Sequence, residues 1–489
     1  MASCALPLCL LFTIFTLSTV FPANCMRSWG KHTVLLNQLI RRDRALEPQM
    51  VKPVSWSGVR RESEGAIFLE LKKLRHWNQK GQNRALEFDA ARVLFLQNTL
   101  RENGGQGTLV DSSKETRIPL TSGRKLDTLN YVARIGIGKQ EMNVLVDTGS
   151  DLTWVQCSPC SNCYQQMDSL YSPSSSYIPI PCNSSSCGSL QISSGCASAT
   201  ATSSAAGTCS YDVSYGDGSS THGDIATDTL TLGTDTIGDF IFGCGHNNRG
   251  LFGGAAGLLG LGRGSPSLTF QAFNRYNGVF SYCLPSSQET TGSLVLGDPF
   301  STSGYNSTAF IYASMIQDPQ VPTYYLLNLT GVSVGGVYIS APSSSTLGTA
   351  SSGRTLIDSG TVITRLGPSL YKAVRDEFVK QAIGLPPASS FSILDTCFNL
   401  SGFAAVNIPT LQFHLSSSHG APGGDVQMSV DSSGILYVVN NDASQACLAL
   451  ASLQSESEYQ IIGNYQQQNL RIIYDVKESK VGFAPETCR

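Results

Sequence analysis

The chain has 489 residues, only 14% of them charged, and a formal net charge of −3. This length allows two or three lobes with cores of their own. Long charged helical patterns are rare after residue 120, whereas short β-branched runs broken by Gly, Pro, Ser and Asn are frequent. The composition therefore disfavours a helical protein and predicts an all-β body.

The first 25 residues read as a targeting segment. They carry no charged side chain, and Leu6 to Phe21 is almost wholly apolar. Small residues at Ala23 to Cys25 suit a signal peptidase, so we predict a secretory signal peptide over residues 1–25. The basic start of such a signal is missing, which leaves an uncleaved membrane anchor as the alternative. No other stretch is long and apolar enough to span a bilayer, so we expect no further membrane insertion.

Residues 26–120 form a basic zone, with 17 Lys and Arg against 10 Asp and Glu, whereas residues 121–489 hold 16 against 26. We interpret 26–120 as a pro-segment attracted to the acidic body. Apolar spacing over residues 84–102, through Leu86, Ala90, Val93, Leu94 and Leu100, predicts a helix. The glycines that follow predict a hinge, with cleavage near residues 105–125. The alternative, a nucleic-acid-binding arm, is disfavoured by interleaved acidic residues, and we expect no nucleic-acid partner.

A repeated pattern organises the body. An apolar strand leads to Asp147-Thr-Gly-Ser150, and a similar strand leads to Asp358-Ser-Gly-Thr361, 211 positions later. Each motif is followed downstream by two bulky apolar residues and a glycine, at Leu258 to Gly260 and at Ile461 to Gly463. Such a run can thread beneath a loop and clamp it. The repetition predicts two homologous lobes, which we place at residues 121–310 and 311–489.

The two repeated loops carry the chemistry. Glycine lets the backbone turn tightly and approach a partner closely. If the loops meet, Asp147 and Asp358 cannot both ionise easily, so the pair shares a proton. One carboxylate can then take a proton from water while the other, protonated, polarises a peptide carbonyl. This chemistry needs no metal and no cofactor.

Taken in order, several motifs resemble those of the pepsin-like aspartic proteases. They are Asp147 to Trp154, Tyr215 to Gly218, Leu258 to Gly262, Asp358 to Thr361 and Ile461 to Asn464. The cysteine-rich insert from Cys157 to Cys163 resembles the plant nepenthesin-like branch. The resemblance covers roughly residues 128–489. It implies a bilobal all-β fold with a central cleft, an aspartic endopeptidase made as a zymogen, and polypeptide substrates bound as extended strands.

The resemblance also implies roles for individual residues. Asp147 and Asp358 would bind the lytic water. The residues that would support the two catalytic loops are Thr148, Gly149, Ser150, Ser359, Gly360 and Thr361. Of these, Thr148 and Ser359 would brace the loops against each other, and Ser150 and Thr361 would bind the outer carboxylate oxygens. Tyr215 and Gly216 would belong to a flap hairpin over the substrate, with Trp154 as the hydrogen-bond partner of Tyr215.

Twelve cysteines follow residue 25, an even number that suits disulfides in a secreted chain better than a metal site. By resemblance, Cys397 would pair with Cys447 and Cys283 with Cys488. The pairing among the other eight stays open; they are Cys157, Cys160, Cys163, Cys182, Cys187, Cys196, Cys209 and Cys244. Glycosylation sequons begin at Asn183, Asn306, Asn328 and Asn399.

Other chemistries fit less well. The Gly-x-Ser-x-Gly match at Gly331 to Gly335 precedes a strand-like run, whereas a nucleophile elbow requires a helix there. Paired carboxylates also serve glycosidases, but that chemistry does not require duplicated Asp-x-Gly loops. The rival from another class is a catalytically inactive pepsin-like binding or inhibitor protein. We expect a monomer that is secreted to the apoplast, with the vacuole or plastid as alternatives.

Overall fold

The computed structural model describes residues 31–35, 61–62, 66–67, 79–102, 116–122, 128–190, 193–196, 207–215, 219–250, 252–288, 290–298, 310–319, 321–342, 353–417, 425–440 and 442–488. Strands dominate these residues and helices are few, as the composition predicts. Among them, no helix is both long and apolar enough to cross a membrane.

Before residue 116, the described residues form three short strands and one long helix. The strands are β1 (Lys31–Leu35), β2 (Arg61–Glu62) and β3 (Ala66–Ile67). Helix α1 covers Gln79–Glu102, and its Ala, Leu, Arg, Glu and Gln content favours helix. The helix therefore begins five residues before the predicted start at residue 84 and ends at the predicted residue.

Where the N-terminal half of the body is described, it is built from twelve strands and three short helices. The strands are β4 (Thr116–Ser122), β5 (Tyr131–Ile137), β6 (Gln140–Asp147), β7 (Trp154–Gln156), β8 (Ile178–Pro179), β9 (Ser193–Cys196), β10 (Cys209–Ser214), β11 (Ser220–Leu232), β12 (Asp235–Arg249), β13 (Gly257–Gly260), β14 (Val279–Cys283) and β15 (Gly292–Leu296). The helices are α2 (Ser185–Ser189), α3 (Leu268–Gln271) and α4 (Phe273–Tyr276).

The C-terminal half contains the remaining strands and helix α5 (Pro368–Gln381). The strands are β16 (Ile311–Ser314), β17 (Leu326–Val334), β18 (Val337–Ser340), β19 (Arg354–Ile357), β20 (Thr364–Leu366), β21 (Pro387–Ala388), β22 (Cys397–Phe398), β23 (Ala405–Pro409), β24 (Leu411–Leu415), β25 (Val426–Ser429), β26 (Leu436–Val438), β27 (Ala446–Leu448), β28 (Leu450–Ser452), β29 (Gln460–Ile462), β30 (Leu470–Asp475) and β31 (Lys480–Pro485). A 3₁₀ turn lies at Ser432–Gly434. Proline at the first position of α5 suits a helix start, and its buried side chains are Leu370, Tyr371, Val374 and Phe378.

The predicted duplication is visible in the strand pairing. Strand β13 runs parallel to β6 and antiparallel to β7. In the second half, β29 runs parallel to β19 and antiparallel to β20. Each apolar-Gly run is thus a buried strand beside the strand that delivers its Asp, and its role as a clamp on the Asp loop remains a prediction.

Three larger sheets build the body. The largest follows the order β16-β31-β30-β14-β15-β4-β5-β6-β13-β7-β12-β11-β10-β9, with β8 beside β11. A second follows β25-β24-β17-β19-β29-β20-β28, with β18 beside β17, and a third follows β21-β22-β27-β26. The largest sheet joins the two halves, because β30 of the C-terminal half pairs with β14 of the N-terminal half.

Strands β1 and β4 both begin before residue 121, and both pair with strands of the lobes. Strand β1 pairs antiparallel with β23, and β4 pairs with both β15 and β5. Strand β4 extends across the predicted boundary between pro-segment and body at residue 120. The position of that boundary remains a prediction.

Disulfide bonds join Cys157 to Cys244, Cys160 to Cys163, Cys187 to Cys209, Cys283 to Cys488 and Cys397 to Cys447. Cys182 is also disulfide-bonded. The Cys283–Cys488 bond holds the C-terminus to the central sheet. The pairings left open by the sequence are those of the first-half insert, where the chain folds back on itself.

The sequons differ in their surroundings. Asn183 is exposed. Asn328 lies in β17, and its side-chain nitrogen donates to Ser416 Oγ at 2.7 Å. Asn399 is half-buried, and its side-chain oxygen accepts from Ser401. Asn306 lies outside the described residues. Glycosylation remains a prediction, and Asn183 presents the most open acceptor of the three described.

Candidate active site

The first Asp loop follows directly from strand β6. Asp147 is the last residue of that strand and its side chain is only 1% exposed. Its Oδ1 accepts from the backbone N–H of Gly149 at 2.9 Å, and its Oδ2 accepts from Ser150 Oγ at 2.7 Å. These two bonds fix the orientation of a carboxylate that its strand has delivered to a buried position.

The second loop repeats this arrangement after β19. Asp358 is fully buried; its Oδ1 accepts from Gly360 N at 2.9 Å and its Oδ2 from Thr361 Oγ1 at 2.6 Å. The residues that sequence reasoning expected to hold the outer carboxylate oxygens therefore lie where that role requires.

The two loops are bound to each other. Thr148 N donates to Ser359 Oγ at 3.1 Å, and Ser359 N donates to Thr148 Oγ1 at 2.9 Å. Ser359 Oγ also donates to Val146 O at 3.0 Å. This reciprocal pair, each partner buried, holds the two carboxylates in a fixed relation across the junction of the halves.

Glycine is required at the third position of each loop. A Cβ on Gly149 would lie 2.8 Å from Asp358 Oδ1, and a Cβ on Gly360 would collide with Asp147 Oδ1. Any side chain here would separate the carboxylates. The two glycines thus allow the close approach on which shared-proton chemistry depends.

Arg92 of helix α1 occupies the space between the two carboxylates. Its Nη2 donates to Asp147 Oδ1 at 2.6 Å and to Asp358 Oδ2 at 3.1 Å. Its Nη1 reaches Asp147 Oδ2 at 3.2 Å, and its Nε reaches Asp358 Oδ2 at 3.3 Å. One guanidinium therefore binds both acids, and its planar set of donors matches carboxylates on two sides.

The charges in this cluster shift one another's pKa values. Burial alone would lower the pKa of Arg92, but the charges of Asp147 and Asp358 outweigh it and the pKa is raised. Burial raises the pKa of Asp147, while Arg92 opposes this rise. For Asp358, burial is outweighed by Arg92 and by hydrogen bonds from Thr361 and Gly360, so its pKa is lowered. At both acids, the guanidinium stabilises the ionised form.

Helix α1 is anchored on either side of Arg92. Asp89 accepts from Val362 N at 2.5 Å and from Ile363 N at 3.2 Å, and it pairs with Arg365. Further along the helix, Gln97 Nε2 donates to Tyr459 O at 2.6 Å and Gln97 Oε1 accepts from Tyr459 N at 2.7 Å. These contacts place α1 across the cleft with Arg92 over the acids.

Apolar side chains add to this docking. Leu86 packs in a buried cluster with Val362, Ile363 and Tyr437. Val93, Leu96 and Leu100 pack in a second buried cluster that includes Tyr324 and Tyr459. Burying one apolar side chain of this kind, relative to leaving it exposed to water, stabilises the docked helix by about 1.5–3 kcal/mol. Leu94, which belongs to the apolar spacing of the predicted helix, is 46% exposed and does not join either cluster.

The flap residues that the structure describes lie as expected. Tyr215 follows β10, and its N–H donates to Ser219 O at 2.7 Å, closing the hairpin to β11. Trp154 Nε1 donates to Tyr215 OH at 2.8 Å, and both rings pack edge-on against Phe252. Gly216 lies outside the described residues.

Sequence reasoning missed Arg92, Asp89 and Gln97. It expected a diffuse attraction between a basic segment and an acidic body, and it gave no residue-level account of how the cleft is blocked. A usable signal was present, because these three polar residues share the helix face of Leu86, Val93 and Leu100. Polar side chains on an apolar face must find partners when that face docks.

No group of His, Cys, Asp or Glu suited to hold a metal occurs in the described part of the chain. The geometry is that of two buried carboxylates, braced by their own loops and bridged by a cation from the preceding segment. Acids arranged this way can activate water between them once the cation has left.

Comparison with known proteins agrees with this geometry. The family model described as xylanase inhibitor N-terminal matches residues 131–298, and the one described as xylanase inhibitor C-terminal matches residues 324–485. The Arabidopsis thaliana protein named "Aspartyl protease family protein At5g10770" is 42% identical over 409 residues, covering 82% of this chain and 81% of its own. Aspartic proteinase nepenthesin-1 of Nepenthes gracilis is 36% identical over 415 residues, covering 83% and 85%.

Solved structures show the same fold at low identity. Basic 7S globulin from soybean superposes with a TM-score of 0.62 at 19% identity, over 77% of this chain and 98% of its own. The aspartic proteinase from Irpex lacteus gives 0.52 at 18% identity, over 76% and 98%. The family models match most of the body, and the relatives are named aspartic proteases. The chain therefore belongs to the pepsin-like aspartic proteases, in a plant group that includes nepenthesin-1, and is an aspartic endopeptidase.

Proposed function

We propose that this endopeptidase is made as a secreted zymogen that becomes active at acidic pH, with Asp147 and Asp358 as its catalytic pair. The observation that carries the proposal is the guanidinium of Arg92 bound to both carboxylates. A lytic water and a scissile peptide bond would have to lie in that space. While α1 is docked, the chain cannot bind a substrate there.

In the released enzyme, the two carboxylates would share a proton, because two like charges this close cannot both ionise easily. One carboxylate would remove a proton from the bound water as the water oxygen attacks the peptide carbonyl carbon. The protonated partner would donate to the carbonyl oxygen. As the C–N bond of this tetrahedral intermediate breaks, the proton taken from water would pass to the leaving amine. One hydroxyl of the intermediate would return a proton to the other carboxylate, which restores the shared proton.

Release of α1 is coupled to proton uptake. Arg92 lowers the pKa of Asp147 and of Asp358 relative to what each would have without it. Loss of the guanidinium raises the pKa of Asp358 when the helix leaves, whereas at Asp147 the return of solvent removes the burial that raises its pKa and opposes that rise. A transition that takes up protons is favoured as pH falls, so acidification opens the cleft and neutral pH keeps it closed.

The same sign follows from Asp358 considered by itself. Its pKa is lowered in the closed form, so its contribution to closure is present above its ordinary pKa. This contribution is lost as pH falls through the lowered value.

We place the activating cut between residues 102 and 116. Helix α1 ends at Glu102, and β4 begins at Thr116 as an interior strand of the central sheet, paired on both sides. A cut in this interval separates the inhibitory helix without removing a strand from the body. This interval overlaps the 105–125 interval expected from the sequence at residues 105–116.

Secretion is supported by the uncharged, apolar first 25 residues and by the disulfides of the body. The apoplast is the proposed destination, and the proposed partners of the monomer are its own pro-segment and extended polypeptide substrates.

The test is an acid-activation experiment on the chain lacking residues 1–25, produced in a secretory host. Samples are held between pH 3 and pH 7, and both intact mass and cleavage of denatured haemoglobin are followed, with and without pepstatin. We expect an intact, inactive chain at pH 7 and a shortened, pepstatin-sensitive protease at acidic pH. Full activity of the unshortened chain at pH 7 would refute the zymogen proposal. Tight binding to a partner protein without any proteolysis after pro-segment removal would favour the inactive binder.

A further inference from the structure

The carboxylate of Asp89 occupies a defined anion-binding site on the body. Two backbone donors, Val362 N at 2.5 Å and Ile363 N at 3.2 Å, reach its two oxygens. Arg365 Nη2 donates to Oδ2 at 2.8 Å. Backbone N–H groups together with a guanidinium form a site that selects a carboxylate over a neutral or cationic group.

This site belongs to the enzyme body and not to the helix that fills it. Arg365 lies in β20, whose backbone pairs with β29 on one side and β28 on the other. Its Nη1 donates to Ile363 O at 2.8 Å, which fixes the guanidinium on its own strand. The donors therefore keep their positions when α1 leaves.

Departure of α1 changes the charge balance at this point. The Arg365 side chain is 4% exposed and the Asp89 side chain 1%, so both charges are removed from water. Within the described residues, Asp89 is the carboxylate that lies within ion-pair distance of Arg365. A nearly buried guanidinium left without a counter-charge is unfavourable, and a new carboxylate in the same place would offset that cost.

We propose that, after activation, Arg365 and the N–H groups of Val362 and Ile363 form a substrate subsite for an acidic side chain. Asp89 occupies this subsite in the zymogen in the way that a substrate Asp or Glu would. The inference rests on the proposed function, since it requires that α1 leave and that a peptide take its place.

The position of the subsite follows from the helix. Asp89 is three residues from Arg92, so the two side chains start about 4.5 Å apart along the helix axis. An extended peptide advances about 3.3 Å per residue. The preferred acid should therefore lie within about three residues of the scissile bond.

Apolar residues beside the subsite strengthen its preference for an acidic side chain. Val362, Ile363 and Tyr437 belong to the buried cluster that Leu86 of α1 joins. In such surroundings the effective dielectric constant is low, so an opposite charge is strongly favoured and a like charge strongly disfavoured. A substrate Lys at this position would be rejected.

The test uses the acid-activated enzyme and a peptide series with one fixed cleavage site. Asp, Asn or Lys is placed in turn at each of the four positions on either side of that site, and kcat/KM is measured at pH 5.5. We expect one position at which Asp exceeds Asn about tenfold or more, since a hydrogen bond to a charged group adds about that factor. The preference should shrink at pH 3, where the substrate Asp, with an ordinary pKa of about 3.9, is protonated.

A variant pair then assigns the preference. Arg365→Gln should bring the Asp-to-Asn ratio at that position close to one. Arg375→Gln is the matched control, because it removes an arginine from α5 that pairs with Asp376 and Asp395 on the surface. It should keep the wild-type ratio.

The outcomes separate the two proposals. Acid-dependent cleavage of uncharged peptides with no Asp preference at any position overturns the subsite and leaves the protease proposal standing. A preference that survives in Arg365→Gln also overturns it. If the activated chain cleaves no peptide at all, the proposed function fails and the subsite fails with it. Because the wild-type series needs no variant, a folding defect in Arg365→Gln cannot hide a negative result.

Discussion

The two catalytic loops are nearly identical within themselves but differ in what lies against them. In each, the aspartate accepts from a glycine N–H two residues on and from a hydroxyl three residues on. The second loop and the strand after it also receive Asp89, and Gln97 and Gln82 bind Tyr459 and Tyr437 of the same half. Arg92 binds the acids of both loops, and it is the contact that this helix makes with the acid of the first loop.

This difference shows that two separate sets of contacts stabilise the form in which α1 covers the active site. Helix α1 is docked on the C-terminal half, and Arg92 extends from it to the acid of the other half. Apolar burial and paired polar groups therefore hold α1 on the C-terminal half. The guanidinium of Arg92 closes the active site by binding both acids. The two contributions can be removed separately.

The largest effect is expected from removing either acid. Asp147→Asn and Asp358→Asn should each lower kcat/KM on denatured protein by at least about 10³-fold, because proton transfer by a positioned group contributes that much. Helix α1 has left the activated enzyme, so its docking on one half should not affect these variants. The two losses of kcat/KM should therefore be similar. Circular dichroism serves as the folding control.

Activity above a few per cent in either variant would contradict the catalytic assignment. Normal acid processing of Asp147→Asn would show that the activating cut is made by another protease.

The next effect separates closure from docking. Arg92→Ala removes the bridge between the acids and should weaken the closed state by about 3–5 kcal/mol, the usual cost of breaking a buried ion pair. We expect measurable initial activity of the uncut chain at pH 6, before any mass change.

Arg84→Ala is the matched control, because Arg84 is exposed on the same helix and lies over the Phe88 ring. It should stay inactive at pH 6. Equal behaviour of the two variants would show that closure does not depend on the bridge.

The smallest effect tests docking alone. Gln97→Ala removes two hydrogen bonds to Tyr459 and should weaken the closed state by about 1–2 kcal/mol. The acid midpoint of processing should move slightly toward neutral pH, whereas Asn98→Ala, at an exposed neighbour, should leave it in place. A midpoint unchanged in Gln97→Ala would argue that apolar burial carries the docking.

Much of the body could be predicted because its information is local and repeated. Asp-x-Gly at the end of an apolar strand, seen twice, defines both the acid and the turn that presents it. The bracing by Thr148 and Ser359 was implied by the resemblance to pepsin-like proteases, and the structure shows the two hydrogen bonds that it requires. Pairing in the first-half insert could not be deduced, because it depends on how eight cysteines are brought together in space.

The docking of α1, with Arg92 bound to both acids, was not predicted from the sequence, and the physical reason is different. Apolar periodicity identified the helix, but it does not say which polar residues dock, and one of its apolar members, Leu94, is exposed. The face that docks instead runs through Leu86, Asp89, Val93 and Gln97, with polar groups whose partners lie more than 250 residues away. A charge count over a segment cannot single out one arginine among 17 basic residues.

Strand β4 has a consequence for how inhibition ends. Because it is an interior strand of the central sheet, a cut upstream of it turns α1 from a tethered arm into a separate peptide. Short tethers hold a partner at an effective concentration on the order of millimolar. After the cut the same contacts lose this advantage, so release of the separated helix would depend on the concentration of the protein.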